Sequence, residues 1–250
     1  MVHFTITFMW RIILFSLLLV GCAKLNTYND MIVVTPTEPA LYSVATIQKI
    51  TDTTAPVHIY IEGDGHAFNS RGLATDNPTP RSNFMRRMAT ADVSPNVAYI
   101  ARPCQFMMDE KCNVSDWTNG RFSKTMVDSV AFAVKKIAGS RPVILIGYSG
   151  GAMVSGLIIQ KHPEIDVKKW ITIAGVLNHT DWTKYFNDTP LTLSINLNTL
   201  PHLPQVHYIA EKDEVVPNSL SKQWIDKNNI KVIKNAGHDT IPIIKLDFTN

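Results

Sequence analysis

The sequence predicts an α/β protein in which a mostly parallel β-sheet is covered by helices on both faces. Segments rich in β-branched and aromatic residues alternate along the chain with segments of helical periodicity, and this repeated order is typical of parallel sheets. Residues 143–146 form a continuous apolar run, as expected for a strand that is buried on both faces. The 250 residues are 45% apolar and 18% charged, which suits one large folded domain.

Six strands and three helices are predicted along this domain. The strands are expected at 57–61, 96–100, 143–146, 170–174, 206–209 and 230–233, and the helices at 80–91, 123–138 and 150–161. In the second helix apolar residues recur at spacings of three and four, at Val127, Val130, Ala131, Val134 and Ile137. Ser123 is a candidate N-cap of this helix and Gly139 a candidate stop. Residues 175–205 lack clear periodicity and are predicted to form a small cap over a site.

Composition and charge exclude several classes of protein. The apolar fraction excludes a disordered chain, and the 12 glycines and 14 prolines exclude a collagen-like one. The formal net charge is only +3, and no run of lysine and arginine exceeds two residues. The chain therefore lacks the basic footprint of a nucleic-acid-binding protein.

The first residues have the pattern of an export signal. Residues 12–20 are an apolar run that follows Arg11 and ends in Gly21 and Cys22, too short to span a membrane. The ending Leu-Val-Gly-Cys resembles the bacterial lipobox, which implies cleavage after residue 21 and lipidation of Cys22. The residue after the cysteine is alanine, and by the same resemblance this favours an outer-membrane lipoprotein that faces the periplasm. A buried N-terminal helix is the alternative, and translation from Met9 would give a shorter signal.

These observations divide the chain into three parts. We expect a signal peptide over 1–21, a polar tether over 22–40, and a single α/β domain over 41–250 with its cap at 175–205. Cys104 and Cys112 enclose a short polar loop within this domain, and in an oxidising periplasm they are expected to form a disulfide. A zinc site is the competing interpretation, but two cysteines without histidines at ligand spacing are too few.

The motif with the clearest chemistry is Gly-Tyr-Ser-Gly-Gly at 147–151, which fits G-x-S-x-G between a predicted buried strand and a predicted helix. A sharp strand-to-helix turn holds its serine at positive φ, and side chains two residues to either side would clash with the turn. The hydroxyl of Ser149 would then stand out of the sheet at the positive end of the helix dipole. The alternative is a glycine-rich turn with an incidental serine.

With these residues in place, the chain resembles the α/β-hydrolase fold. More narrowly, Gly-Asp-Gly-His-Ala-Phe at 63–68, Ala-Arg-Pro-Cys-Gln at 101–105 and the serine motif resemble a family of little-characterised bacterial hydrolase-like lipoproteins. The resemblance covers about 55–245 and implies a nucleophile, an acid and a histidine in that order. It implies that Ser149 is the nucleophile, that Asp213, closely followed by Val-Val-Pro, is the acid, and that His238, in the loop after the last strand, is the histidine. Glu211 and Glu214 are the alternative acids.

The resemblance also assigns roles to these residues. His238 would take the serine proton during attack and return it to the leaving group, while Asp213 would orient and stabilise the imidazole. The N–H of Gly150 would be one oxyanion donor, and the second is expected from Asp64, with Gly65 next. The sequence departs from the fold's His-Gly-x-Gly pattern, because Glu62 replaces the histidine. An acidic side chain at Asp64 would repel an oxyanion if it pointed inward.

Other features near the predicted site leave their roles open. Aromatic residues in the cap and the cysteine region would either line a substrate pocket or form the cap's own core: Trp117, Phe122, Trp182, Tyr185 and Phe186. Arg102 and Arg121 would either bind a substrate carboxylate or phosphate or, as the default expectation, be solvated at the surface. The segment from Gly63 to Phe68 lacks the third glycine of a dinucleotide-binding fingerprint and no P-loop pattern occurs, so no cofactor is expected.

The sequence therefore predicts a cofactor-independent serine hydrolase of the carboxylesterase, lipase or thioesterase type that acts through an acyl-enzyme. Its expected partners are a small-molecule or lipid ester and, through the lipid anchor, a membrane. The alternative function is a non-catalytic binding or interaction lipoprotein of the cell envelope on a hydrolase scaffold.

Overall fold

Eight strands pair into one sheet in the computed structural model, which describes residues 31–249. In chain order they are β1 (Ile32–Val34), β2 (Val44–Ile50), β3 (Val57–Ile61), β4 (Asn96–Ile100), β5 (Val143–Tyr148), β6 (Val167–Ile173), β7 (Gln205–Ala210) and β8 (Ile230–Ile233). Across the sheet the order is β1-β2-β4-β3-β5-β6-β7-β8. Strands β3 to β8 are parallel, whereas β1 and β2 pair antiparallel. The α/β class and the mostly parallel sheet are confirmed.

Five α-helices accompany the strands in this part of the chain: α1 (Phe84–Ala91), α2 (Lys124–Ala138), α3 (Gly150–Lys161), α4 (His179–Tyr185) and α5 (Asn218–Lys222). The side chain of Ser123 accepts a hydrogen bond from the N–H of Met126, and Gly139 ends α2 at positive φ, as the sequence predicted. Helix α1 begins four residues later than predicted, because the residues before Phe84 instead run along a pocket.

Apolar side chains cover both faces of the sheet. On one face α2 and α3 pack on alternate residues of the central strands, such as Ile59 and Leu145. On the other face α1 and the segment after β8 pack on the intervening residues, such as Tyr60 and Ile146. This alternation explains the continuous apolar sequence of β5, which is buried on both faces. The prediction of helices on both faces is confirmed.

The N-terminal part of the domain differs from the prediction. A polar tether was predicted over 22–40, and this is wrong for Ile32–Val34, which form β1 and pair with β2. The reason is a run of three β-branched residues that pairs with the edge of the sheet and buries Val34. Strand β2 itself was not predicted.

The signal peptide over 1–21 and lipid attachment at Cys22 lie outside the described residues. From residue 31 to residue 249, none of the helices is long and apolar enough to span a lipid bilayer. The segments that follow the carboxyl ends of β3, β4, β5, β7 and β8 meet at one edge of the sheet, where parallel α/β folds place their sites.

Candidate active site

Ser149 stands on a sharp turn between β5 and α3. Its φ is +50°, a conformation that L-residues rarely adopt outside such turns. The neighbouring glycines are required by close packing: a Cβ on Gly147 would lie 2.4 Å from the carbonyl oxygen of Gly151, and one on Gly151 would lie 2.5 Å from that of Ile61. The chain therefore holds the serine in one strained geometry at the start of a buried helix.

A continuous hydrogen-bonded chain joins Ser149, His238 and Asp213. The Nε2 atom of His238 lies 3.0 Å from Oγ of Ser149, and its Nδ1 lies 2.9 Å from Oδ2 of Asp213. A carboxylate only accepts hydrogen bonds, so Nδ1 carries the proton and Nε2 is free to accept the serine proton. The structure thus brings together the three side chains named from the sequence.

Asp213 is fixed from behind by the turn that follows β7. Its Oδ1 accepts hydrogen bonds from the N–H groups of Val215, at 2.9 Å, and Val216, at 2.7 Å. The two glutamates considered as alternatives are engaged elsewhere or exposed. Glu211 binds the Lys234 ammonium and the N–H of Asn235, and Glu214 is exposed on the surface. Only Asp213 among these three acids bonds to His238 in the described chain.

Tyr148, the residue before the serine, supports His238 in a way the sequence did not reveal. The two rings stack with centroids 5.1 Å apart, and the tyrosine hydroxyl donates to the carbonyl oxygen of His238 at 3.2 Å. Burial raises the pKa of Tyr148, so the hydroxyl stays protonated and remains a donor. The variable position of the G-x-S-x-G motif gave no signal for this role.

The carboxylate of Asp64 lies directly against Gly150, the first residue after the serine. A Cβ on Gly150 would lie 2.1 Å from Oδ1 of Asp64. In the described chain no hydrogen bond uses the N–H of Asp64 or Gly150, so both donors named from the sequence are available. The carboxylate is therefore near the place where an oxyanion would form, and its charge would oppose that of the oxyanion.

Two buried arginines offset the charge of Asp64. Arg102 Nη1 lies 3.1 Å from Oδ1, and Arg121 Nε lies 3.3 Å from Oδ2. Each arginine residue is only 5% exposed. The expectation of surface solvation is therefore wrong for both, because Asp64 provides a partner that stabilises their charge inside the protein.

The segment around Cys104 holds the loop that carries Asp64. Cys104 and Cys112 form the predicted disulfide. Gln105, the residue after Cys104, donates a hydrogen bond from Nε2 to the carbonyl oxygen of Gly63 at 3.0 Å. Gly65 has φ of +67°, and a Cβ there would lie 2.1 Å from the carbonyl oxygen of Pro78, so the loop admits only glycine at this position.

Glu62, which replaces the expected histidine, is buried beneath this loop. Its Oε1 accepts from the N–H of Gly63 and its Oε2 accepts from the Tyr99 hydroxyl, each at 2.9 Å. Burial raises the pKa of Glu62 from 4.5 to about 7, despite these bonds and the nearby charges of Arg86 and Arg102. Glu62 therefore supports the loop from below.

A cavity of about 520 Å³ opens beside Ser149 and His238. Its size is within the range of small-molecule sites. Of the five aromatic residues in question, Phe122 and Trp182 line it, while Trp117 packs near the disulfide and Tyr185 and Phe186 are exposed. The segment predicted as a cap contributes Val176, His179 and Trp182 to the wall.

Comparison with known proteins gives one family and one fold. The family model described as serine hydrolase (FSH1) matches residues 80–248, well over half of the chain. Among solved structures, the chain is similar to a serine hydrolase from Cycloclasticus zankles (12% identity, 84% of this chain and 92% of that chain covered, TM-score 0.56). It is also similar to an esterase from Pyrococcus furiosus (14%, 83% and 84%, 0.55) and a serine hydrolase homologue from Coxiella burnetii (15%, 84% and 89%, 0.54). No curated protein matches the sequence.

Proposed function

Because the chain belongs to the FSH1 serine hydrolase family, we propose that it hydrolyses carboxylic esters or thioesters through an acyl-enzyme formed on Ser149. The observation that carries this proposal is the position of His238, whose two ring nitrogens bridge Ser149 Oγ and Asp213 Oδ2 at 3.0 and 2.9 Å. This arrangement allows a neutral imidazole to remove the serine proton near neutral pH.

In the first half of the reaction, Oγ of Ser149 attacks the substrate carbonyl carbon while Nε2 of His238 takes the hydroxyl proton. The negative charge of Asp213 stabilises the imidazolium that results. Collapse of the tetrahedral intermediate breaks the bond to the leaving alcohol or thiol, which receives the proton from His238. The acyl group is then joined to Ser149 as an ester.

In the second half, water replaces the leaving group. His238 removes a proton from the water molecule while the water oxygen attacks the acyl carbon. Collapse of this second tetrahedral intermediate breaks the bond to Ser149 Oγ, which receives the proton from His238, and the carboxylic acid is released. The same histidine acts as base and acid in each half. No cofactor is needed to balance these steps.

The tetrahedral oxyanions require hydrogen-bond donors. The N–H groups of Gly150 and Asp64 are the donors we assign, and Gly150 also lies at the positive end of the α3 dipole. Loss of one such donor typically costs about 3 kcal/mol of transition-state stabilisation. Arg102 and Arg121 serve this site by offsetting the carboxylate of Asp64.

Labelling with a fluorophosphonate tests this proposal. The wild-type protein should gain one phosphonyl group, located on Ser149 by peptide mass spectrometry. Ser149→Ala should not be labelled and should lose esterase activity by about 10⁴-fold or more. Ser219→Ala, which changes an exposed serine on α5, should behave as wild type. Well-folded wild-type protein that resists the reagent and cleaves no ester would contradict the proposal and favour a binding role.

We also propose that the mature protein is anchored to the membrane through a lipid on Cys22. The disulfide between Cys104 and Cys112 supports export, because such bonds persist mainly in oxidising compartments. Metabolic labelling with palmitate in a bacterial host should mark the wild type and not Cys22→Ser, and the variant should move from the membrane to the soluble fraction. Equal labelling of both proteins would contradict the anchor.

A further inference from the structure

We propose that the cavity beside Ser149 selects esters that carry a carboxylate close to the scissile bond, and that Arg121 binds this carboxylate. The inference rests on the proposed function and adds its substrate class. It starts from the fact that Arg121 lines the same cavity as Ser149 and His238. A charged side chain in this position decides which substrates can be desolvated there.

Arg121 is buried but makes little use of its hydrogen-bonding groups. A guanidinium has five N–H donors, and a buried charge is costly when these donors lack partners. Within residues 31–249 the side chain of Arg121 makes an ion pair through Nε with Asp64 at 3.3 Å and donates no hydrogen bond. Nevertheless, only 5% of the surface of Arg121 is exposed to solvent. The unused donors can be satisfied by an anionic ligand in the cavity.

Three aromatic rings surround the guanidinium. Its Cζ atom lies 5.8 Å from the ring centroid of Phe68, 5.6 Å from that of Phe122 and 5.5 Å from that of Trp182. All three residues line the cavity. Cation–π contacts favour the positive charge without using the N–H donors, and the rings limit the access of water. The guanidinium is therefore held in place and its donors remain available.

The local charge favours an anion of charge −1. Arg102 and Arg121 together carry +2 and Asp64 carries −1, so these three side chains have a net charge of +1. Glu62 lies near Arg102, but its pKa is raised to about 7, so it adds less than a full negative charge at neutral pH. The cavity wall also carries Arg81 and Asp239, whose formal charges cancel.

His179 also lines the cavity, with its ring stacked 5.9 Å from that of Phe122. Burial and the charge of Arg121 lower the pKa of His179, despite the nearby backbone carbonyls of Ser194 and Ile195. This histidine is therefore neutral at pH 7 and adds no further positive charge, so the anion-binding role falls to Arg121.

The position of Arg121 also limits the length of the substrate. Asp64 contacts both residues: a Cβ on Gly150, next to the nucleophile, would lie 2.1 Å from Oδ1 and 3.0 Å from Oδ2, and Oδ2 lies 3.3 Å from Nε of Arg121. The guanidinium is thus linked to the residue after the nucleophile through a single carboxylate. A carboxylate bound there belongs to a short substrate, with only a few atoms between it and the ester.

Two matched pairs of esters test the inference on the wild-type protein. Monoethyl succinate carries the carboxylate on the acyl side, and ethyl 4-methylpentanoate is its neutral isostere. Acetoxyacetate carries it on the alcohol side, and isobutyl acetate is its neutral isostere. With rates normalised to hydroxide hydrolysis, kcat/KM should favour the anion by tenfold or more in at least one pair. Equal rates, or preference for the neutral ester in both pairs, would overturn the inference.

Variants assign the preference to Arg121. Arg121→Gln should reduce the preference to within about twofold while fluorophosphonate still labels Ser149, and Arg87→Gln, which removes an exposed charge from α1, should retain it. If the first variant does not fold, Arg121→Lys keeps the charge and should raise KM for the anionic ester with little change in kcat. Undiminished preference in a folded Arg121 variant would refute the assignment. A failure of the proposed function gives a different result: the wild-type protein would cleave none of the four esters and would not be labelled by the fluorophosphonate. The inference would then be refuted together with the proposed function.

Discussion

The carboxylate of Asp64 lies against Gly150 in the proposed oxyanion site. The carboxylate of Asp64 would oppose a developing negative charge, and only its two arginine partners make the arrangement compatible with acyl transfer. The Asp64 side chain occupies the space that a side chain at residue 150 would need. The absence of a Cβ at Gly150 is therefore a requirement of the loop that carries Asp64, whereas the turn itself requires the glycines at 147 and 151.

We expect Gly150→Ala to reduce kcat/KM by at least 100-fold. The new methyl group would lie 2.1 Å from Oδ1 of Asp64, so the carboxylate must move away from its two arginine partners, and we expect this movement to disturb the Asp64 and Gly150 N–H donors. Ester hydrolysis is the measurement, and circular dichroism with urea unfolding shows whether the variant retains its fold. Activity within threefold of wild type would mean that the loop adjusts freely and does not supply a donor.

Tyr148 offers a second test at the level of single residues. Tyr148→Phe removes the hydroxyl that donates to the His238 carbonyl but keeps the ring stack, so kcat should fall only about twofold to threefold. Tyr148→Leu removes the stack as well and should lower kcat about tenfold, because His238 is less well oriented. Steady-state kinetics of both variants decide the point. Equal effects of the two changes would show that the ring does not position the histidine.

Among the elements, the cysteine segment links stability to the site. The disulfide closes a ring of nine residues that includes Gln105, whose side chain donates to the Gly63 carbonyl. For a ring of this size the loss of unfolded-state entropy is worth about 2.5 kcal/mol. The disulfide therefore stabilises the loop support without taking part in the chemistry.

Replacement of Cys104 and Cys112 by serine should lower the free energy of unfolding by about 2.5 kcal/mol. Urea unfolding followed by tryptophan fluorescence measures the difference. Wild-type protein treated with a reducing agent provides the matched control and should unfold at the same urea concentration as the variant. If wild type unfolds identically with and without the reductant, the disulfide does not contribute to stability.

The elements that the sequence predicted are those whose local pattern and tertiary role agree. Strand β5 is a continuous apolar run because it is central and buried on both faces, and α2 is recognisable because one face packs on the sheet. Strands β1 and β2 were missed: β1 has only three residues and lies at the edge of the sheet, and β2 is polar towards its end, so the pairing of β2 with β1 and β4 has no clear local signal. Short helices such as α5, with five residues, have too little periodicity to be found.

At the scale of the whole molecule, the site joins segments that are far apart in sequence. Residue order and resemblance pointed to Ser149, Asp213 and His238, and the segments after the carboxyl ends of β5, β7 and β8 bring these three residues together. The pairing of Asp64 with Arg102 and Arg121 could not be predicted, since 38 and 57 residues separate the partners and no local pattern links them. Contacts of this kind become visible only when the loops after β3 and β4 are placed together.

The buried carboxyl of Glu62 should make the stability of the whole protein depend on pH. Its pKa is raised from 4.5 to about 7, so between these values the folded state keeps a proton that the unfolded state has released. Stability must then fall as pH rises through this window, by up to about 3 kcal/mol from this group, and level off above it. Glu62→Gln cannot ionise, and its free energy of unfolding should fall less steeply between pH 4.5 and 7 than that of wild type.

Urea unfolding at intervals of half a pH unit measures this difference for the two proteins under the same ionic strength. Glu110→Gln is the matched control, because it removes an exposed carboxyl of the same type and should leave the wild-type profile unchanged. Other buried groups titrate in both proteins, so the difference between the two curves isolates Glu62. Parallel curves for wild type and Glu62→Gln would show that Glu62 ionises in the folded protein as readily as in the unfolded chain, contrary to the effect expected of its burial beneath the loop that carries Asp64.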